Sequence, residues 1–410
     1  MRHVLVVAIA LVGCVEGPAE LAELEQEAAS PPWKQPAKWP LNVQTPRFVV
    51  HYQTTGDLAV AQSVLADVDD AWTKQIAQGG ARAPLNDGGV AGPDGRFDVY
   101  LQRGLGSLYV AATVANAATP YTDYSTAMVL DPWDPVYGGA ELRANTFHEF
   151  RHASQAVDDW YEQAWVFEAE ATVWEAVYYG YDRIAYVFAD YQAHPEWTPF
   201  KNDRYATWYM YGGAMFFAHL RKTVFNNSLA FTNDMWLGSR STGTNEPDFV
   251  DALGPILAAR GTTVFDQIVK FARARWYTGS RANTTIMDGA GSIAEVAARS
   301  HVRASGAVRT TFVPNPEVLG TTYTTITAAP TDGSTLRISL SNIDAKANPI
   351  VQVVGQTAGD RVLDFASGPA TVTVVGGKIT LAVTMLPSSG QFDVDSPGTQ
   401  LYKATVNVDR

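Results

Sequence analysis

Hydrophobic and polar positions alternate in several distinct rhythms along this chain, and the rhythms divide it. Phe48-Val49-Val50-His51-Tyr52 alternates as a half-buried strand does, with His51 as a packed strand residue. Between Asp57 and Gln78, Leu58, Ala61, Val64, Leu65, Val68, Trp72 and Ile76 recur at helical spacing, and Gly79-Gly80 ends the pattern. A turn-rich stretch from Asn86-Asp87-Gly88-Gly89 to Asp94-Gly95 leads into a strand, Phe97-Asp98-Val99-Tyr100-Leu101. Ala127-Met128-Val129-Leu130 reads as a further strand ended by Asp131-Pro132, and a helix over Thr146 to His152 follows. Residues 209–220 read as a buried helix, and residues 249–259 and 264–276 as amphipathic ones. Beyond about residue 305 the composition turns to Thr, Val, Gly and Ser, with Pro314-Asn315-Pro316 as a linker. Short strands then follow at residues 336–340, 350–354 and 371–375, and Gly376-Gly377 predicts a two-residue hairpin into residues 378–383. The fold class expected is α+β: a mixed domain over 41–305, then a small all-β sandwich over 310–410.

Composition changes this picture mainly at the ends and on the surface. With 410 residues, 46% of them hydrophobic, the chain has enough apolar material for a sizeable core. A net charge of −12 gives no support for a nucleic-acid partner, which requires clustered Lys and Arg to neutralise phosphates. The nine apolar residues 4–12 follow Arg2, too few to span a bilayer and suited to a signal-peptide core, so export is expected. The one cysteine, Cys14, closes Leu11-Val12-Gly13-Cys14, which resembles a bacterial lipobox. Residues 1–14 are accordingly expected to be a signal peptide with Cys14 lipidated, and the Glu-, Ala- and Pro-rich residues 15–40 a flexible tether. The N-terminal lipid would be the sole membrane contact, placing the protein at the outer membrane, at the cell surface or outside the cell. A lone cysteine excludes an intrachain disulfide, so packing has to carry stability.

The candidate chemistry lies in Thr146-Phe147-His148-Glu149-Phe150-Arg151-His152. Residues four apart share a helix face, so His148 and His152 can reach one metal ion while Glu149, about a quarter-turn round, reaches a water activated by it. That is the geometry of a zinc hydrolase, with Zn2+ as the cofactor expected. A catalytic zinc needs a third protein ligand and an open position. No nearby histidine supplies it, leaving Glu168, Glu170 and Glu175 on the next helix. Glu168 and Glu175 share a face, and Glu170 points roughly 160° away from Glu168. Asp87, Asp94 and Asp98 have no EF-hand spacing and read as turn-capping residues rather than calcium ligands.

His148-Glu149-Phe150-Arg151-His152 followed by Trp165-Val166-Phe167-Glu168-Ala169-Glu170-Ala171 resembles the gluzincin metallopeptidases, whose second helix carries a tryptophan, a ligand glutamate, a small residue and an alanine. The resemblance implies a zincin-like catalytic domain with Glu168 as third ligand and Glu149 as general base. It also implies an edge strand before the zinc helix, for which residues 125–131 are the candidate, and an oxyanion donor, for which Tyr211 and His219 are candidates. The sequence departs from the family at Ala169, where glycine is frequent, and at Thr172, where thermolysin-like members carry aspartate. The function expected is hydrolysis of peptide bonds in extracellular or cell-surface proteins. The alternative is a surface binding or adhesion lipoprotein with a structural zinc site and a ligand-binding aromatic or β region. A zinc enzyme acting on another amide, such as a peptidoglycan cross-link, shares the same residues.

Overall fold

A computed structural model describes residues 39–201, 208–243, 246–302, 308–327, 333–356, 359–388 and 401–410, and these fall into two compact units. The expected signal peptide, the lipidation site at Cys14 and most of the expected tether lie outside the described residues. No helix among the described residues is long and apolar enough to cross a membrane.

The first unit begins with β1 (Leu41–Gln44), β2 (Phe48–Tyr52), α1 (Leu58–Trp72), β3 (Phe97–Leu101), β4 (Tyr109–Ala115) and β5 (Tyr124–Leu130). These five strands form one sheet in the order β1-β2-β3-β5-β4. β2, β3 and β5 run parallel, while β1 and β4 pair antiparallel to their neighbours. The helix between β2 and β3 follows from this, because parallel neighbours need a crossover to reverse the chain. The strand expected at the sheet edge is therefore not there: residues 125–131 correspond to β5, which is hydrogen-bonded on both sides. The edges are β1 and β4, and the register of β4 with β5 shifts between Ala112 and Val114. Near-continuous burial of β5 agrees with an interior position, whereas β4 is only partly buried. Trp39, in the stretch expected to be tether, is 2% exposed, and its indole N–H donates to the Leu101 carbonyl at 2.7 Å.

Two helices follow the sheet, α2 (Leu142–Gln155) and α3 (Ala164–Tyr179). Phe150 on α2 meets Phe48 and Phe97 of the sheet edge-on, with ring centroids 5.9 and 5.7 Å away. On a helix, Phe150 points roughly 200° from His148, so anchoring it in the aromatic cluster aims both histidines away from the sheet. α3 is buried through Ala176 and ends at Gly180 with φ of 102°. Gly79, beyond α1, permits the approach of Trp174, since a Cβ there would lie 2.5 Å from the indole.

The chain then enters the second unit with α4 (Ala185–Ala193), α5 (Tyr209–Gly212) and α6 (Ala214–Thr223), and returns to the first with α7 (Ala230–Gly238) and most of α8 (Phe249–Ala258). The helix expected over 209–220 is broken in two at Gly213. The second unit resumes with α9 (Val264–Trp276), β6 (Arg299–Val302), β7 (Arg309–Phe312), β8 (Thr321–Thr327), β9 (Thr335–Ser341), β10 (Ala347–Val354), β11 (Arg361–Val362), β12 (Ala370–Thr373), β13 (Ile379–Pro387) and β14 (Thr405–Asp409). Its strands build two sheets, β11-β10-β13-β8-β6 and β12-β9-β14-β7.

Helices α4, α5, α6 and α9 thus cluster with the C-terminal strands in the second unit. The reason is burial: Trp276 on α9 clusters with Tyr323, Val354 and Ala382 of the strands, and the Tyr323 hydroxyl donates to the Ala272 carbonyl. Gly376 and Gly377 do turn the chain, both with positive φ. The expected hairpin does not form, however, because β12 pairs with β9 in one sheet and β13 with β10 and β8 in the other. Only the Val375–Lys378 bridge remains of it.

Candidate metal centre

The polar residues of α2 and α3 meet in one buried cluster. Glu168 is 2% exposed, and its Oε2 lies 3.1 Å from His148 Nε2 and 3.5 Å from His152 Nε2. The imidazole rings stand almost perpendicular, with centroids 4.7 Å apart. One ligand atom from each of His148, His152 and Glu168 falls within 4.8 Å of the others, a grouping of metal-ligand type.

The far side of each ring determines what it presents to Glu168. His148 Nδ1 lies 2.9 Å from Glu175 Oε2. An ionised carboxylate only accepts, so Nδ1–H donates to Glu175, and Nε2, facing Glu168, donates to it when the ring is protonated and offers its lone pair when the ring is neutral. His152 Nδ1 lies 2.7 Å from Gln155 Oε1, and the Gln155 amide N–H2 donates to the Phe167 carbonyl at 3.1 Å and to Glu170 Oε2 at 2.6 Å. The amide oxygen therefore accepts from His152 Nδ1–H, leaving a lone pair on Nε2 as well. His152 Nε2 has no hydrogen-bond partner. With both rings neutral, two imidazole lone pairs and a carboxylate oxygen converge on one point. A buried acceptor left without a donor costs about 1–3 kcal/mol, a cost that a cation at the meeting point would relieve. Soft-to-borderline nitrogen donors with one carboxylate suit zinc, and three protein ligands leave a position open.

The electrostatics agree. Burial pushes the Glu168 carboxyl up, but His152 and His148 beside it outweigh that and hold it at about 2. For His148, burial disfavours the charged ring, and the hydrogen bond and charge of Glu168 overcome it, raising its pKa. The pull that retains a proton there is the pull available to a metal ion. Glu149 is 7% exposed, burial raises its pKa, and its Oε2 has no hydrogen-bond partner. It is a buried carboxylate beside the first ligand with one oxygen available for a proton.

Glu170, the competing third ligand, faces elsewhere. Arg151 grips it bidentately, Nε to Oε2 at 2.8 Å and Nη2 to Oε1 at 2.6 Å, and the guanidinium lies 4.6 Å from the Trp174 ring. Burial raises the Glu170 carboxyl, and Arg151 outweighs it and brings it below the ordinary value. α7 closes this side: Asn233 Oδ1 accepts from Arg151 at 3.1 Å, and its amide donates to the Gly79 carbonyl. Glu175 contacts the outer nitrogen of His148 rather than the ligand cluster. It stands one helix turn beyond Thr172, and its extra reach brings a carboxylate to His148. Gln155 was not a candidate from sequence, though its place three residues after His152 puts it on the same face.

Other singled-out residues have contacts of their own. His219 belongs to the second unit, where its Nε2 faces Gln267 Oε1 at 3.2 Å, and burial pushes its pKa down to about 4. Tyr211, also in the second unit, packs edge-on against Trp208. His51 is buried, 2.6 Å from Asp98 and stacked on Tyr100. Asp87 caps a turn by accepting from Gly89 and Ala91, and Asp94 pairs with Arg96.

No family model matches this chain, and no curated protein matches it. Among solved structures, the Salmonella Typhimurium PliG, a periplasmic inhibitor of g-type lysozyme, aligns at 13% identity and a TM-score of 0.20, covering 28% of this chain and 98% of its own. A mutant of the Escherichia coli PliG aligns at 14% identity and a TM-score of 0.19, covering 28% and 98%. Likeness at that level carries neither fold nor function across.

Proposed function

We propose that this protein is a zinc-dependent metallopeptidase, with a zincin-like, gluzincin-type catalytic centre in its first unit. The observation that carries the reading is the convergence of His148 Nε2, His152 Nε2 and Glu168 Oε2 in a buried site, with the carboxylate of Glu149 adjacent on the same helix. Those three residues would hold the ion, which supplies Lewis acidity to polarise a carbonyl and acidify water. Glu149 accepts the proton of the attacking water at its unpartnered oxygen and delivers it to the departing amine. Its burial, by raising the carboxyl pKa, brings the group nearer the operating pH and improves it as a proton carrier. A protein or peptide substrate is supported by β4, whose place at the end of its sheet suits an extended chain added as a further strand.

A peptide-library digest of the purified, zinc-loaded chain, read by mass spectrometry, tests this. Cleavages that disappear with a chelator and in Glu149→Gln are the expected result. A zinc-loaded protein that leaves every peptide intact would overturn the reading.

A further inference from the structure

Glu170 is fully buried, touches no ligand of the centre, and sits where sequence alone ranked it a rival for Glu168. Its geometry gives it a different task. The Gln155 side chain lies between Glu170 and His152, and an amide has two ends of opposite character, one accepting and one donating. Flipped, it would turn N–H2 toward His152 Nδ1, which would then have to accept. The ring hydrogen would move to Nε2, and His152 would present N–H where a lone pair is required. The flip therefore decides whether His152 can serve as a ligand.

Two acceptors hold the amide in one orientation: Glu170 Oε2 at 2.6 Å and the Phe167 carbonyl at 3.1 Å, both against Gln155 Nε2. Arg151 occupies both Glu170 oxygens from the other side, through Nε at 3.1 and 2.8 Å and Nη2 at 2.6 Å. Gln155 itself is 1% exposed, so water has little access to substitute for either acceptor.

We propose that Glu170 is a positioning residue which, clamped by Arg151, locks the Gln155 amide and thereby holds His152 in its metal-binding tautomer. His148 obtains the same result directly from Glu175. The two histidines are thus set by different devices: a carboxylate for one, and a carboxylate acting through a neutral amide for the other. Outer partners of metal-bound histidines are worth about 10–100-fold in metal affinity, which sets the expected size of the effect.

The inference rests on the metal centre proposed above, and its test separates the two. Zinc affinity is measured by chelator competition, and the His152 tautomer in metal-free protein by nitrogen-15 NMR of the imidazole, identified against His152→Asn. Wild type that binds no zinc sinks the metal reading. Given binding, Glu170→Gln is expected to weaken zinc by about 10–100-fold and to shift His152 toward the Nε2–H tautomer. The exchanged pair Glu170→Gln with Gln155→Glu keeps the net charge and returns an obligate acceptor to His152 Nδ1. It is expected to recover affinity to within a few-fold, about the spread of such measurements, and to restore the tautomer. Val173→Ala, a truncation elsewhere on α3, should lower stability without moving the tautomer. Wild-type affinity and tautomer in Glu170→Gln would overturn the proposal. Should that variant fail to fold, the exchanged pair decides alone: wild-type tautomer and affinity support the lock, and the Nε2–H tautomer refutes it.

Discussion

Two buried helix pairs, one in each unit, treat a histidine in opposite ways. Between α6 and α9, His219 faces the neutral side chain of Gln267, whose amide donates in turn to Thr262. Burial dominates there and holds the imidazole uncharged, with its pKa down at about 4. Between α2 and α3, burial is just as complete, yet the carboxylate of Glu168 reverses its effect and raises the pKa of His148. Burial thus marks neither a site nor a scaffold. What separates them is the facing group: a neutral amide opposite His219, against a carboxylate shared by two imidazoles at His148 and His152.

The sharpest way to break this contrast is His152→Ala. It is expected to abolish stoichiometric zinc and all peptide hydrolysis, whereas His219→Leu leaves zinc content unchanged; metal analysis of both proteins is the check. Next in size is Glu149→Gln, which should retain zinc and lower turnover by about 10²–10⁴-fold, read from steady-state cleavage of any substrate peptide. A smaller effect is expected from Glu175→Leu, which frees the His148 tautomer and should weaken zinc by about 10–100-fold in chelator competition. The last concerns the second unit and acid. Because the folded state of His219 has its pKa lowered from the ordinary 6.5 to about 4, the unfolded chain binds more protons in that window, and stability falls as pH drops through it. Denaturation of wild type should show that loss, on the order of 3 kcal/mol, and His219→Leu should flatten the profile between pH 6.5 and 4. An equally steep profile in the variant would remove His219 as its cause.

Much of the centre was legible because its rules are local. Helical spacing alone put His148, Glu149 and His152 within reach of one ion, and the helix expected over 264–276 is α9. The choice among Glu168, Glu170 and Glu175 was not local, since all three positions are buried on one helix. In the structure the Arg151 guanidinium claims Glu170 and the outer nitrogen of His148 takes Glu175, which leaves Glu168 facing the other two ring nitrogens. Long-range pairing was least legible. The alternation in residues 125–131 marks a buried strand but contains nothing about which neighbour lies beyond it, and so β4 rather than β5 forms the edge. Likewise Gly376-Gly377 encodes a turn, and not whether its two arms stay in one sheet.

The central claim is that His148, His152 and Glu168 hold zinc, and metal content tests it most directly. Full-length protein, loaded with zinc and freed of excess, should carry one zinc per chain by plasma mass spectrometry, falling to none in His152→Ala. Wild type without bound zinc, or a variant that retains it, would contradict the claim.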